Sequence, residues 1–227
     1  WVAVDHWNTD NPHIHILLRG KADDGRDLVI DKDYIREGMR SRAEERVTLE
    51  LGPRTEREID RALAREVDAD RWTSLDRRMQ RQAGDFGGVV DLRVAPGTQQ
   101  SRTTNHMVAR ATKLERLGLA TRITPGCWML KPGLEPTLRQ LGARGDIIKT
   151  MHRAMGACGL RPDTGRFALH DDLAADPVIG RLVARGLHDE LTGSAYAVID
   201  ATDGRTHYLR FDDIDQTSDA KSGAIVE

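Results

Sequence analysis

The chain has 227 residues, of which 39% are hydrophobic and 31% are charged, and its formal net charge at pH 7 is −2. This composition favours a folded chain of one to three domains. It excludes a transmembrane helix, because no run approaches the roughly 18 apolar residues that such a helix needs. Cys127 and Cys158 lack the spacing of a metal site, so we expect free thiols in a reducing compartment.

Short strands begin the chain. Apolar runs predict strands over residues 1–6, 13–19 and 26–30. Pro12 is expected in the turn between the first two strands, and Asp23-Asp24-Gly25 is typical of a turn between the last two. We therefore expect a small sheet organised by two turns.

Three of the eight histidines fall on the first two strands. His13 and His15 share one face of the second strand, because residues i and i+2 point to the same side. His6 ends the first strand, so pairing of the strands brings a third imidazole near them. Neutral imidazole is the commonest protein metal ligand, and three ring nitrogens leave room on a divalent ion for substrate oxygens. The alternative is that these are ordinary strand residues.

Two helices follow the strands. The first is predicted from about residue 32 to 47, with Asp31 as its cap. The second begins near Thr55, since Glu58 stands three positions later and completes a capping-box pattern. The stretch 66–74 is typical of a linker, which predicts a boundary near residue 70.

The middle segment, residues 71–155, has the element order of a winged helix-turn-helix. Two helices precede a short hairpin, and a further helix follows it. In such a module the second helix of the pair enters the major groove of duplex DNA, although winged helices also mediate protein contacts. The predicted elements are helices over 72–83, 102–117 and 134–155, the last with breaks at Pro136 and Gly142–Gly145, and strands over 119–123 and 127–130.

The charge distribution singles out the same segment. Residues 1–70 have a net charge of −5, residues 71–155 of +9 and residues 156–227 of −6. A basic segment between acidic ones favours contact with polyanions, although a solvated basic face without a ligand is the alternative. The candidate DNA contacts are Arg102, Thr103, Thr104, Asn105, His106, Arg110 and Lys113 on the second helix, and Arg122 on the hairpin.

The last part of the chain changes to strands. They are predicted over residues 178–186, 195–199 and 206–211. Asp203-Gly204 is a good hairpin turn between the last two. Short strands with tight turns favour a small SH3-like or OB-like β-barrel over residues 156–212. Residues 213–227 are polar and rich in Asp, so a disordered tail is expected.

The histidine pattern resembles a known family. His6 followed by Pro12-His13-Ile14-His15 is similar to the histidine triad of conjugative relaxases, the HUH-type nucleases that nick the transfer origin of a plasmid. The resemblance implies that His6, His13 and His15 bind one divalent metal ion, Mg²⁺ or Mn²⁺ rather than Zn²⁺. Asn8 stands where many such motifs carry an acid.

Two acids near the triad keep a second chemistry open. Asp5 or Asp10 could orient a metal ligand. Either could also be the general base of a histidine-metal hydrolase of another class that holds Zn²⁺. Neither stands in the helical His-Glu-x-x-His context of such hydrolases.

The resemblance covers most of the chain. Residues 26–52 look like the segment that follows the triad in one branch of relaxases and mobilization nucleases, and residues 71–211 look like the uncharacterised region beyond it. It implies an α+β, multidomain chain. Residues 1–70 would be the remainder of an HUH-type α/β sandwich, followed by the winged-helix-like segment, the β-barrel and the tail.

The resemblance also implies a reaction. Relaxases nick and rejoin single-stranded transfer-origin DNA through a phosphotyrosine. Their partners in the bacterial cytoplasm are single-stranded and duplex origin DNA, a coupling protein and other relaxosome proteins. The nucleophilic tyrosine of that family precedes the triad, whereas Tyr34, Tyr196 and Tyr208 follow it. We therefore expect a fragment that lacks the nucleophile and is inactive alone. A non-catalytic module that recognises the origin is the alternative function.

Overall fold

The chain folds as a mixed α and β protein in two compact units, Trp1–Ile59 and Asp60–Glu227. A computed structural model describes residues 1–6, 13–84, 86–94, 97, 99–170, 177–189, 192–217 and 219–227. Over these residues there are five α-helices and three sheets, which confirms the α+β class. The helices in these ranges include none that is long and apolar enough to cross a membrane.

A two-stranded hairpin begins the first unit. Strands β1 (Val2–His6) and β2 (His13–Leu17) pair antiparallel. The predicted third strand over 26–30 is wrong, because the residues of this stretch, all of them described, form one isolated bridge, from Asp27 to Lys21, and no strand. Val29 is 87% exposed, so a strand there would have no apolar surface on which to pack.

Two helices follow the hairpin, and capping explains where each begins. Asp31 accepts hydrogen bonds from the backbone N–H groups of Asp33 and Tyr34 at 2.8 and 3.3 Å, ahead of a π-helical turn and α1 (Met39–Leu51). The capping box predicted at Thr55 is confirmed, since Thr55 N donates to Glu58 at 2.8 Å and Glu58 N donates back to the Thr55 hydroxyl at 3.3 Å. Helix α2 (Glu56–Val67) starts there.

The second unit contains the helices and the sheet of the basic segment. Helices α3 (Ser74–Gly84) and α4 (Arg102–Arg116) pack with the strands β3 (Val89–Asp91), β4 (Ala120–Thr124) and β5 (Cys127–Leu130). The sheet order is β3-β5-β4, all antiparallel. The sequence predicted both helices and the β4–β5 hairpin but missed β3, a strand of only three residues.

A buried ion pair fixes the start of α3 against α4. Arg110 and Asp76 are both 0% exposed, and the guanidinium contacts both carboxylate oxygens, Nε at 2.8 Å and Nη2 at 2.9 Å. Its remaining N–H groups donate to the carbonyls of Val67, Ala69 and Arg71. All five donors of the arginine are therefore satisfied. Residues 68–73 of the predicted linker 66–74 form a loop that these bonds hold in place, and its ends belong to α2 and α3.

Helix α5 (Leu134–Ala157) is continuous, so the breaks predicted at Pro136 and Gly142–Gly145 are wrong. Pro136 lies in the first turn, where no intrahelical N–H bond is lost. Gly142 lies against Arg71, where an added Cβ would come within 2.9 Å of the Arg71 Cβ. The glycine therefore serves close packing and does not interrupt the helix.

The C-terminal sheet is open, so the predicted β-barrel is wrong. Its strand order is β10-β7-β8-β9-β6, with β10 and β6 at unpaired edges. Strand β6 pairs parallel to β9, and the other pairs are antiparallel. The strands are β6 (Phe167–Leu169), β7 (Gly180–Asp189), β8 (Ser194–Ala201), β9 (Thr206–Phe211) and β10 (Ile225–Val226).

Each face of this sheet has its own cover, which removes the need for closure. Met151 and Met155 of α5 pack on one face. On the other face, Ala220 of the C-terminal segment and Val226 of the edge strand β10 pack against the cluster of Leu182, Ala197, Ile199 and Leu209. The expectation of a disordered tail is therefore wrong for its described residues. Gly223 N donates to the Leu182 carbonyl at 2.8 Å, and β10 adds to the edge of β7.

The ion pair yields a stability prediction. We expect Arg110→Ala to lower the free energy of unfolding by about 3–5 kcal/mol, because it leaves the Asp76 carboxylate buried without its counter-charge. Arg116→Ala removes an exposed arginine from the same helix and should change the value by less than about 0.5 kcal/mol. Urea denaturation of both variants measures the difference, and a loss below about 1 kcal/mol for Arg110→Ala would contradict the role assigned to the pair.

Candidate functional site

The hairpin of the first unit positions the predicted metal ligands. Backbone register pairs His6 with His13 and Val4 with His15. Directly opposed residues of an antiparallel pair share a face of the sheet, so this register is the one that a triad requires. The ring nitrogens Nε2 of His13 and His15 lie 3.1 Å apart. The side chain of His6 lies outside the described part of the structure.

The spacing of the two described rings is compatible with two ligands of one ion. Nitrogens about 2.1 Å from a common ion, at the observed separation, would hold the ring centroids about 4.8 Å apart. A straight hydrogen bond between the same nitrogens would place the centroids about 5.4 Å apart. The observed centroid distance between His13 and His15 is 4.9 Å. These two side chains therefore fit a divalent ion.

Of the two acids near the triad, the structure describes Asp5 and not Asp10. Asp5 occupies the register position opposite Ile14, one residue from His6 along β1. Asn8 and Asp10 lie outside the described residues. Within the described ranges no three His, Cys, Asp or Glu side chains are grouped to hold a metal ion. The structure thus brings together two members of the predicted site, His13 and His15.

Several of the predicted DNA contacts are engaged inside the second unit. Arg110 is buried in its ion pair, so its assignment to DNA is wrong. Lys113 pairs with Asp70 at 3.0 Å, and His106 contacts Asp60 at 2.9 Å. The partners of these three side chains are Asp76, Asp70 and Asp60, so all three side chains make contacts within the second unit.

The hairpin arginine is also engaged. Arg122 pairs with Glu115 at 2.9 Å and lies 5.1 Å from the centroid of the Trp128 ring. The indole N–H of Trp128 donates to Glu115 at 3.1 Å, and this bond, with the help of Arg122, holds the pKa of Glu115 below its usual value. With 43% of its side chain exposed, Arg122 still reaches solvent.

The start of α4 keeps two of the predicted contacts free. Thr104 is part of the cap, since its N–H donates to the Ser101 hydroxyl at 3.0 Å, and Thr103 is half-buried. Arg102 and Asn105 are exposed, and within the described structure no hydrogen bond or ion pair engages either side chain. Of the eight predicted contacts, these two fit an external ligand best.

A hydrogen-bonded chain of three side chains in the C-terminal sheet was not predicted. Asp203 contacts Nε2 of His207 at 3.0 Å, and Nδ1 of His207 contacts Nε2 of His170 at 2.9 Å. A carboxylate can only accept, so His207 donates through Nε2 and accepts the His170 proton at Nδ1. The centroids are 5.1 Å apart with nearly parallel planes, close to a straight hydrogen bond. His170 lies 37 positions before His207, so no local pattern joins it to the Asp203–His207 pair, whose members are four positions apart.

The tyrosines of this sheet are held in their neutral form. Tyr196 stacks on Tyr208 with centroids 5.1 Å apart, and the Tyr208 hydroxyl contacts Nδ1 of His188 at 2.8 Å. Burial raises the pKa of both phenols. A raised pKa weakens a hydroxyl as a nucleophile, so these tyrosines fit a structural role.

Comparison with known proteins places the chain in one family. The family model described as "Protein of unknown function (DUF3363)" matches residues 107–227. This is just over half of the chain, so the chain belongs to that family. No curated protein and no solved structure matches it. The match begins within α4 and includes the hairpin β4–β5, α5 and the C-terminal sheet.

Two half-buried histidines, His170 and His188, give a pH prediction. Burial lowers the pKa of His170, with a further effect from His207, and burial together with Arg210 lowers the pKa of His188. Both groups bind a proton more weakly in the folded state than in the unfolded state. Their contribution to the free energy of unfolding is therefore fully present above the ordinary pKa of 6.5. It is lost as the pH falls below that value, by at most about 1.4 kcal/mol per pH unit for each histidine.

Urea denaturation at pH 7.5 and 5.5 measures this loss. The double variant His170→Gln and His188→Gln should show a smaller difference between the two pH values than the unchanged chain. Lys221→Gln, an exposed substitution in the same unit, serves as the control and should keep the full difference. An equal difference in all three proteins would show that the two histidines do not cause it.

Proposed function

We propose that the chain is part of a DNA relaxase that nicks and rejoins single-stranded transfer-origin DNA in conjugative transfer. The observation that carries the proposal is the hairpin register, which sets His6 opposite His13, together with the 3.1 Å separation of the His13 and His15 nitrogens. The Pro12-His13-Ile14-His15 sequence motif supports the same assignment. Residues 1–70 are then the remainder of an HUH-type α/β sandwich.

In this proposal His6, His13 and His15 bind and orient a divalent ion, Mg²⁺ or Mn²⁺. When bound, such an ion neutralises charge on the scissile phosphate and polarises phosphorus. The adjacent strands fix the positions of the ligands, because each histidine is held by a backbone that pairs with the other strand. None of Tyr34, Tyr196 and Tyr208 is assigned as the nucleophile.

A second candidate function, duplex DNA recognition, is favoured by the fold of residues 60–130. Helices α2, α3 and α4 precede the β4–β5 hairpin, and β5 lies between β3 and β4. We propose that this is a winged-helix module, in which α4 is the helix that enters the major groove. The exposed side chains of Arg102 and Asn105 at the start of α4 support this. In a relaxase, such a module would recognise the origin next to the nicking site.

The metal proposal is tested by binding of Mn²⁺ to the full chain. His13→Ala with His15→Ala should weaken Mn²⁺ binding by at least about 10–100-fold, because loss of an outer-shell group alone has that effect. His152→Ala removes a histidine that contacts Thr164 on another part of the chain, and it should leave the affinity unchanged. Isothermal titration calorimetry measures all three proteins.

Two outcomes of the Mn²⁺ titration would contradict the proposal. An Mn²⁺ affinity that the His13 and His15 substitutions do not change would exclude the hairpin as the metal site, and with it the relaxase assignment. A strong preference for Zn²⁺ with hydrolysis of substrates other than DNA would favour a histidine-metal hydrolase of another class.

A further inference from the structure

The outer face of α4 carries a row of side chains that can read base pairs. Met107, Arg110, Ala111 and Leu114 are buried on the inner face of the helix. The exposed residues Arg102, Asn105, Ala109 and Arg116 recur at intervals of three, four and seven positions, and thus share the opposite side. We call these four residues the outer row. It contains no acid, and Arg116 and Ala109 were not among the predicted contacts.

The composition of the outer row matches the chemistry of the major groove. Arginine donates two hydrogen bonds to guanine, asparagine makes a bidentate pair with adenine, and an alanine methyl contacts the methyl group of thymine. A helix surface that served only solubility would carry acids as well, as α1 does in its Arg40–Glu44 and Arg46–Glu50 pairs.

A second basic surface lies on α3. Leu75, Asp76, Met79 and Ala83 form its buried face, and the remaining side carries three exposed arginines. These arginines are Arg77, Arg78 and Arg81. In the described part of the chain no ion pair engages any of the three, in contrast to Arg110, Lys113 and Arg122 on α4 and the hairpin.

An open groove lies between the end of α3 and the start of α4. Gln82 of α3 lines this groove together with Ser101 and Thr104 at the start of α4. Arg78 lies one helical turn before Gln82, on the same side of α3. Arg78 therefore lies on the side of α3 that faces the start of α4, and Arg77 and Arg81 extend the exposed basic surface around the same helix.

We propose that the second unit binds duplex DNA with the outer row of α4 in the major groove and Arg77, Arg78 and Arg81 on the phosphates beside it. This inference rests on the duplex-recognition function proposed above, and it replaces the buried Arg110 and the paired Lys113 with a different set of contacts. Duplex DNA is the partner because an α-helix fits its major groove, whereas the deep, narrow major groove of duplex RNA excludes side chains.

Salt-dependent binding tests the phosphate contacts. Fluorescence anisotropy of the full chain with a duplex of random sequence gives the slope of log affinity against log salt. The variant Arg77→Ala, Arg78→Ala, Arg81→Ala should bind more weakly and lose about 0.9 from the slope for each phosphate contact removed. Arg161→Ala, Arg181→Ala, Arg205→Ala removes the same charge from exposed positions near or on the C-terminal sheet, and it should keep the slope.

Selection from a randomised duplex library tests the outer row. Asn105→Ala should reduce the preference for one base by about 5- to 150-fold while leaving the salt slope unchanged. Lys113→Ala, which removes a paired lysine from the side of the helix, should change neither the preference nor the slope.

The outcomes separate this inference from the proposed function. No duplex binding at low salt would refute both. Duplex binding with an unchanged slope in the α3 variant, or with a loss in Lys113→Ala instead, would refute the contact surface and leave duplex recognition standing. An affinity for duplex RNA equal to the affinity for duplex DNA would also refute insertion of α4 into the major groove.

Discussion

The guanidinium of Arg110 holds the second unit together where three helices meet. It donates hydrogen bonds to the backbone carbonyls of the α2–α3 connection and neutralises the charge of Asp76. The same carboxylate accepts hydrogen bonds from the backbone N–H and the hydroxyl of Thr73, both at 2.8 Å, so the arginine also supports the cap that begins α3. A buried ion pair of this kind is costly to desolvate and is tolerated only when every donor and acceptor is satisfied. Here all five arginine donors are, so the pair specifies one arrangement of α3 against α4, from which the positions of the outer row and of the α3 arginines follow.

The structural unit is larger than the family match. The match begins at Met107, but the core that contains Leu114 and Trp128 also needs Leu75 and Met79 of α3 and Val90 of β3. Asp76, the partner of Arg110, lies outside the match as well. Residues 60–106 therefore complete the core for the matched residues, and a physical boundary falls nearer Ile59 than Met107. Helix α5 continues the unit into the C-terminal sheet, since its first turns pack in one core and its last turns in another.

Basic residues in this chain divide into two populations that composition does not distinguish. The net charge of +9 over residues 71–155 includes arginines and lysines committed to internal ion pairs as well as free ones on α3 and the outer row. Only the free ones can release counterions from DNA. Histidines divide in the same way. His13 and His15 converge on an open face of the hairpin, whereas His170 and His207 satisfy each other beside Asp203. The same type of side chain thus belongs to the proposed metal site in one unit and to a hydrogen-bonded chain in the other.

The sequence by itself determined what local physics controls. Apolar runs predicted β1 and β2, and the Asp203-Gly204 turn predicted the β8–β9 hairpin. Helical spacing predicted α4, and capping residues such as Asp31 and Thr55 predicted the starts of helices, because these signals act over a few residues. The i, i+2 spacing also predicted that His13 and His15 share one face of β2. Only the tertiary structure decided that Arg110 is a core residue, since Asp76 lies 34 positions away. It likewise decided that the C-terminal strands form an open sheet, because α5 and the tail cover its faces. Partners distant in sequence leave no periodic pattern, so burial and pairing between them are fixed only when the chain has folded.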